Sequence, residues 1–179
     1  MRLKRIAIVV GSTAAVALGA SALPASADTA GTAGGNYFPV LRQGQTNENV
    51  RSLQWLLNCQ GYSVTAPSHF GPTTVKRVKA FQSAHAEYPD GNVGAKTWTA
   101  LVYRGQVSYG TRNDCVKALQ VQLNKYRSLT HQADLPISGY YGPKTRAAFK
   151  AYQTYYRHPA TTVVSAADWS HLLTDDTNE

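Results

Sequence analysis

The sequence predicts an all-α protein made of two tandem small three-helix bundles behind a cleaved signal peptide. Three observations lead there. The chain of 179 residues is 43% hydrophobic and 16% charged, a balance that suits small folded domains and not a disordered tail or a membrane bundle. One helical pattern occurs twice. A charged, then apolar, then small-residue stretch opens the chain.

That opening comes first. Met1 to Arg5 carries Arg2, Lys4 and Arg5, Ile6 to Leu23 is apolar, and Ala25-Ser26-Ala27 supplies small residues at the A-x-A positions. This order is that of a secretory signal peptide over residues 1–27. A membrane anchor would need about 20 uninterrupted apolar residues. Gly11, Gly19 and Pro24 break the run, and no positive cluster follows to stop transfer. Residues 28–36, rich in Gly, Ala and Thr, read as a flexible leader. Removing the signal takes three of the 18 basic residues, and the remaining 15 against ten acidic ones leave +5. That charge suits an anionic partner without choosing one.

The repeat divides the rest into a first module over 37–103, a second over 104–173 and an acidic tail over 174–179. Val50, Leu53, Gln54, Leu57 and Asn58 match Val116, Leu119, Gln120, Leu123 and Asn124 at an offset of 66, as Gly44 and Asn47 match Gly110 and Asn113. Beyond that the offset becomes 71: Phe70-Gly71-Pro72-x-Thr74 matches Tyr141-Gly142-Pro143-x-Thr145, Phe81-Gln82 matches Tyr152-Gln153, and Trp98 and Leu101 match Trp169 and Leu172. The second copy therefore holds five extra residues between Tyr126 and Gly139.

In each copy the spacing i, i+3, i+7 gives the first helix one buried stripe, with Asn47 or Asn113 placed to cap its start. The second helix begins at Pro72 or Pro143, a first-turn position where a missing N–H costs nothing. Its buried face holds Val78 and Phe81, or Ala148, Phe149 and Tyr152. The third, short helix carries Trp98 and Leu101, or Trp169 and Leu172, and Ser165-x-x-Asp168 reads as a capping box with Asp in place of Glu. The repeated spacing makes both tryptophans core residues. Cys59 and Cys115, an even pair in an exported chain, are expected to form a disulfide. Helical angles put Trp55 and Cys59 opposite the Val50 stripe, so a bridge would lay the second module over Trp55 and cover it. The competing reading of Trp55 is a sugar-stacking platform.

These residues resemble the type 1 peptidoglycan-binding modules found beside bacterial wall amidases, peptidases and muramidases. Their pattern runs G-x-x-x-x-x-V-x-x-L-Q-x-x-L-N, then D-G-x-F-G-x-x-T, F-Q, and D-G-x-V-G-x-x-T-W-x-x-L. The first copy supplies Gly44, Val50, Leu53, Gln54, Leu57, Asn58, Phe70, Gly71, Thr74, Phe81, Gln82, Asp90, Gly91, Val93, Gly94, Thr97, Trp98 and Leu101. Both copies depart from the first Asp-Gly, having Pro67-Ser68 and Ser138-Gly139. The second also lacks the later Asp-Gly-x-Val-Gly, offering Thr161 to Ser165 instead. The two modules should therefore not bind alike.

The resemblance implies a peptidoglycan ligand, the net positive charge leaves another anionic wall polymer such as teichoic acid open, and the contacts must come from residues the core does not use. The candidates are Tyr62, His69 and Tyr140 in the rebuilt turns, Asn92 in the intact Asp-Gly turn, and Lys79 and Lys150 at equivalent places on the second helix. An aromatic or imidazole ring can lie against a sugar, an amide serves a peptide stem as both donor and acceptor, and an ammonium meets stem carboxylates. The basic runs Lys76, Arg77, Lys79 and Lys144, Arg146, Lys150 are either a solvated face or an attraction to an anionic wall that salt would weaken.

The common catalytic constellations are missing from the sequence. No His is followed by Glu, no His-x-His occurs, and no Ser is followed three residues later by Lys. His131-Gln-Ala-Asp134 suggests a metal pair but no third ligand. The sequence thus reads as a secreted, wall-associated, non-catalytic peptidoglycan-binding protein with no cofactor or metal, no nucleic-acid partner and no membrane attachment after signal cleavage. Two alternatives remain: a protein that docks a separate wall hydrolase, and a small wall hydrolase with an unfamiliar site.

Overall fold

In the computed structural model the described residues are 31–33 and 36–174. The expected signal peptide and the acidic tail beyond residue 174 lie outside them. Six helices follow a short ribbon: β1 (Gly31–Ala33), β2 (Asn36–Phe38), α1 (Glu48–Cys59), α2 (Pro72–Ala84), α3 (Ala95–Arg104), α4 (Asp114–Leu129), α5 (Pro143–Tyr155) and α6 (Ala166–Thr174). The fold is all-α in substance, two three-helix units in tandem, as the repeat predicts. The stretch expected to be a flexible leader is partly ordered, because β1 pairs antiparallel with β2, Gly31 opposite Phe38. What anchors it is Phe38, an apolar side chain whose burial favours holding the neighbouring backbone in place. Phe38 is fully buried and stacks on Trp98 at 6.4 Å between ring centroids.

Local chemistry sets the helix ends as expected. Asn47 accepts the Val50 N–H at 2.9 Å and Asn113 accepts that of Val116 at 3.1 Å. Pro72 and Pro143 each open a helix. Ser165 and Asp168 cap α6 reciprocally: the Ser165 N–H donates to the carboxylate at 2.9 Å and the Asp168 N–H to the serine hydroxyl at 3.1 Å. Val50, Leu53, Leu57, Val116, Leu119 and Leu123 are buried, as are Val78, Phe81, Ala148, Phe149 and Tyr152. Trp98 and Trp169 are core residues with no exposed surface. Four of the five extra residues of the second copy become one more helical turn, since α1 has 12 residues and α4 has 16.

The two modules meet along α1 and α4. Ser52 of α1 donates to the Ala118 carbonyl of α4 at 3.2 Å, and these are equivalent positions of the repeat. Contact between equivalents, with the C-terminal end of α1 held to the N-terminal end of α4 by the Cys59–Cys115 disulfide, makes the helices antiparallel about an approximate two-fold. Ser and Ala at the crossing are small enough to let the backbones come close. The seam is partly polar: the Gln122 amide donates to Asn49 Oδ1 at 2.9 Å and Ser52 Oγ at 2.8 Å, and Asn49 donates to the Leu173 carbonyl at 2.9 Å. At the two-fold counterpart of the disulfide, Lys125 donates to the Leu172 carbonyl at 2.7 Å. The ribbon adds a second tie, for Ser170 of α6 donates to the Tyr37 carbonyl and Trp98 of α3 to that of Pro39 at 2.8 Å.

Trp55 is half-buried, with the Lys117 ammonium of the other module 4.3 Å from its ring centroid, while Lys117 also pairs with Asp114 at 2.7 Å. It is a covered contact between modules and not an open platform. Among the described residues no helix is long and apolar enough to cross a membrane. Non-reducing intact-mass measurement should find no free thiol, and replacing both cysteines by Ser should lower the unfolding free energy by about 4 kcal/mol, the loop-closure value for this span. Urea denaturation of the two forms measures it, and equal midpoints would show that the modules are held together without the bridge.

Candidate ligand-binding site

The polar residues of the repeat are mostly builders of loops. Gln54, buried in α1, donates to the His69 carbonyl at 2.8 Å and accepts from the Ser68 N–H at 3.3 Å. Gln120 does the same in α4, donating to the Tyr140 carbonyl at 3.1 Å and accepting from the Gly139 N–H at 3.0 Å. Asn58 clasps both backbone groups of Val64, and Asn124 those of Leu135. These amides therefore fix the connection between the first two helices in each module and have little left for a ligand. A buried amide at an equal offset in both copies is the signal that marks this role.

The intact turn of the first module is built the same way. The Gln82 amide is shared among Asp90 Oδ1 at 3.0 Å, the Asn92 carbonyl at 2.7 Å and Thr97 Oγ1 at 3.3 Å, and its oxygen accepts from the Gly91 N–H at 2.9 Å. Gly91 has φ +83°, and a Cβ there would lie 2.9 Å from both Val75 and the Lys79 stem. Only glycine lets the turn close on α2. The arrangement lays the Gly91–Asn92 turn along the side of α2 beside Lys79. Asn92 already donates to Asp90 through its backbone at 2.8 Å and through its side chain at 3.2 Å. Its amide oxygen stays available to a donor on a ligand.

The other candidates lie elsewhere. His69 precedes α2, exposed, with Nδ1 3.0 Å from Thr46 Oγ1. The helical rise puts Lys79 about 10 Å farther along α2. Tyr62 is half-buried and packs edge-on against Phe81 at 5.5 Å, so part of its ring belongs to the core. Tyr140, the counterpart of His69, lies beneath the Arg112 guanidinium, 3.6 Å from its ring centroid, and over Gly142, where a Cβ would collide with the ring. Lys150 is exposed, but the turn that accompanies Lys79 is absent beside it. There Gln153 holds Thr161 instead, donating to its hydroxyl at 3.1 Å and accepting its N–H at 3.3 Å. Glu87, which accepts from Thr97 at 2.6 Å in the first module, is replaced by His158 facing Asp168 at 2.9 Å in the second. The six candidates thus form no single pocket.

Under the second module's edge, the Tyr141 hydroxyl is buried without a hydrogen-bond partner. Burial, reinforced by the Asp168 charge and opposed by Arg146, pushes its phenol well above the ordinary tyrosine range. The equivalent residue in the first module is Phe70.

Comparison with known proteins agrees with this architecture. The family described as "Putative peptidoglycan binding domain" matches residues 46–101 and 112–172, and the chain belongs to that family through two copies of its domain. An uncharacterized protein in the bpoA1 3' region of Kitasatospora aureofaciens is 37% identical over 79 residues, which cover 41% of this chain and 62% of that protein. The chain thus matches less than two thirds of that relative's length. Among solved structures, a peptidoglycan-binding protein from Clostridioides difficile in complex with glutamine hydroxamate is 35% identical, covering 35% of this chain and 39% of that one, with a TM-score of 0.34. A fused Zn-dependent amidase/peptidase/peptidoglycan-binding domain-containing protein from Clostridium acetobutylicum is 38% identical, covering 35% and 28%, with a TM-score of 0.35.

Because a buried hydroxyl without a partner is destabilising, Tyr141→Phe should raise the unfolding free energy by about 1 kcal/mol. The sign with pH is fixed as well. Unfolded tyrosine releases its proton near pH 10 while the buried phenol keeps it, so the unfolded state binds fewer protons above about pH 10 and stability falls there. Urea midpoints of wild type and variant at neutral and alkaline pH test both points: the variant's advantage should widen as pH rises.

Proposed function

We propose that this is an exported, wall-associated protein that binds peptidoglycan without cleaving it, reading the polymer mainly with its first module. The observation that carries the reading is that the family match accounts for both modules, and both are built as binding folds. The buried polar side chains Gln54, Gln82, Gln120 and Gln153 are engaged in holding loops, and none converges on an open cleft. The first module retains the closed turn that presents Asn92 beside Lys79, with His69 ahead of the start of α2 and the outer edge of Tyr62 against Phe81 in its second half. Lys79 meets stem carboxylates, Asn92 a stem amide, and His69 with Tyr62 the sugar hydroxyls. In the second module Tyr140 and Lys150 stand at the equivalent places on a different frame. Export is supported by the amino-terminal pattern and by the disulfide, which suits an oxidising compartment.

Two experiments test this reading. Purified peptidoglycan stripped of phosphate polymers should pellet the wild type and release no muropeptides. The combined replacement of His69, Lys79 and Asn92 by Ala should weaken retention by at least about tenfold, the loss expected for several polar contacts. These three side chains are exposed or rim-lying, so the thermal midpoint should shift little. Unaltered retention would remove the site, and muropeptide release would make the protein a hydrolase. Amino-terminal sequencing of protein from culture fluid should begin at Asp28 or within a residue or two of it, whereas a full-length, membrane-retained product would refute export.

A further inference from the structure

The two modules carry different chemistry at one equivalent edge. In the first, Gln43, Thr46, His69 and Val75 occupy the places that Tyr109, Arg112, Tyr140 and Arg146 hold in the second. These four side chains assemble around the start of α5. The Arg112 guanidinium covers the Tyr140 ring at 3.6 Å, and the Arg146 guanidinium lies 5.2 Å from the Tyr109 ring centroid. Tyr109 stands edge-on to buried Tyr141 at 6.4 Å and is 45% exposed, and both arginines are exposed. Gly142 admits the Tyr140 ring over the first turn of α5, so the pair is seated by the backbone and is not a loose surface contact.

Among the described residues neither arginine is paired with a carboxylate. The second module has nine Lys and Arg against three Asp and Glu over 104–173, twice the net charge of the first with its six against three over 37–103. Its three carboxylates are all placed elsewhere. Asp114 pairs with Lys117, and Asp168 is buried between Ser165 and His158. Asp134 lines a separate groove of about 480 Å³ between the connection from α4 and the side of α5. A guanidinium held over a ring face still has N–H groups to donate, and its fork suits two oxygens of one phosphate. Among the described residues the edge also has no carboxylate to pair with the ammonium that accompanies the carboxylates of a peptide stem.

We propose that this arginine–tyrosine edge of the second module binds a phosphodiester-linked anionic polymer of the cell wall, with Arg112 and Arg146 on successive phosphates and the tyrosine rings against the sugar or polyol between them. The choice of a wall polymer rests on the wall-binding reading above; the preference for phosphate rests on the edge itself. The two modules would then hold two different components of one wall, which accounts for the loss of the Asp-Gly turn and the gain of charge in the second copy.

The test uses the full secreted protein on two matrices: native cell walls, and the same walls freed of phosphate polymers by hydrofluoric acid. Arg112→Gln with Arg146→Gln should weaken retention on native walls by about tenfold or more and leave retention on phosphate-free peptidoglycan unchanged. Soluble poly(glycerol phosphate) should release wild type from native walls under conditions where a polycarboxylate of equal charge does not. Equal loss on both matrices, no loss on either, or equal release by the two competitors would overturn the proposal. Arg112→Lys with Arg146→Lys, which keeps charge and removes the fork, should lose an intermediate amount and serves as the second variant should the glutamine pair fail to fold. Full retention by the lysine pair would overturn the stacked geometry. Wild type that binds native walls but not phosphate-free peptidoglycan would sink the peptidoglycan reading and leave this one standing.

Discussion

The rest of the structure depends on a buried side-chain amide that satisfies loop backbone. A module of roughly 65 residues has few regular elements, so long connections must cross its core, and each buried N–H or carbonyl they carry needs a partner. Gln54, Gln82, Gln120 and Gln153 meet that need from inside a helix, offering an N–H to one loop residue and an oxygen to another. Asn58 and Asn124 do the same one turn farther along. An apolar residue at Gln82 would leave the Gly91 N–H and the Asn92 carbonyl buried without partners, at a few kcal/mol. The turn that presents Asn92 and Lys79 exists because of that amide.

The joint between modules follows a second constraint. Packing of α1 on α4 about an approximate two-fold brings equivalent small residues, Ser52 and Ala118, into contact. At the two symmetry-related ends the chemistry diverges: the Cys59–Cys115 disulfide at one, and a set of donors from Asn49 and Lys125 to the carbonyls at the end of α6 at the other. With the ribbon tied to α6 and α3, the modules act as one body whose two edges have fixed relative positions. A fixed separation matters for a polymer ligand, because a second contact made without further loss of orientational freedom adds to avidity in a way that flexibly tethered modules do not match.

Much of this was legible in the sequence. The duplication, the six helices, their Asn and Pro starts, the Ser165–Asp168 box and the buried tryptophans follow from spacing and residue type, since each depends on local geometry or on one periodic stripe, while the disulfide follows from an even pair of cysteines. The geometry of the candidate binding residues was less legible. Tyr62 stands in a turn by sequence, yet its ring packs on Phe81, a contact across 19 positions that no local pattern encodes. His69 stands before the start of α2 and Lys79 in its middle, a separation that sequence proximity conceals. The ordered ribbon escaped notice because its glycines and alanines suggest flexibility, whereas the segment is held by Phe38 in the core.

The differences between the copies carry more functional information than their similarities. Positions that agree, such as Gln54 with Gln120 or Trp98 with Trp169, are those the fold requires, and a requirement of the fold says little about a ligand. Where the fold leaves a position free, the copies have diverged: Thr46 and His69 against Arg112 and Tyr140, Glu87 with Thr97 against His158 with Asp168. The second of these exchanges is internal, one buried polar pair replacing another, and it alters a turn without exposing a new group. The first is at the surface and brings in a guanidinium stacked on a ring, Arg112 over Tyr140, with no carboxylate among the described residues to balance it. An exposed cation–π contact adds only about 0.5–1 kcal/mol to the protein alone, so charge left without a carboxylate among the described residues finds its fuller reason in what the protein binds.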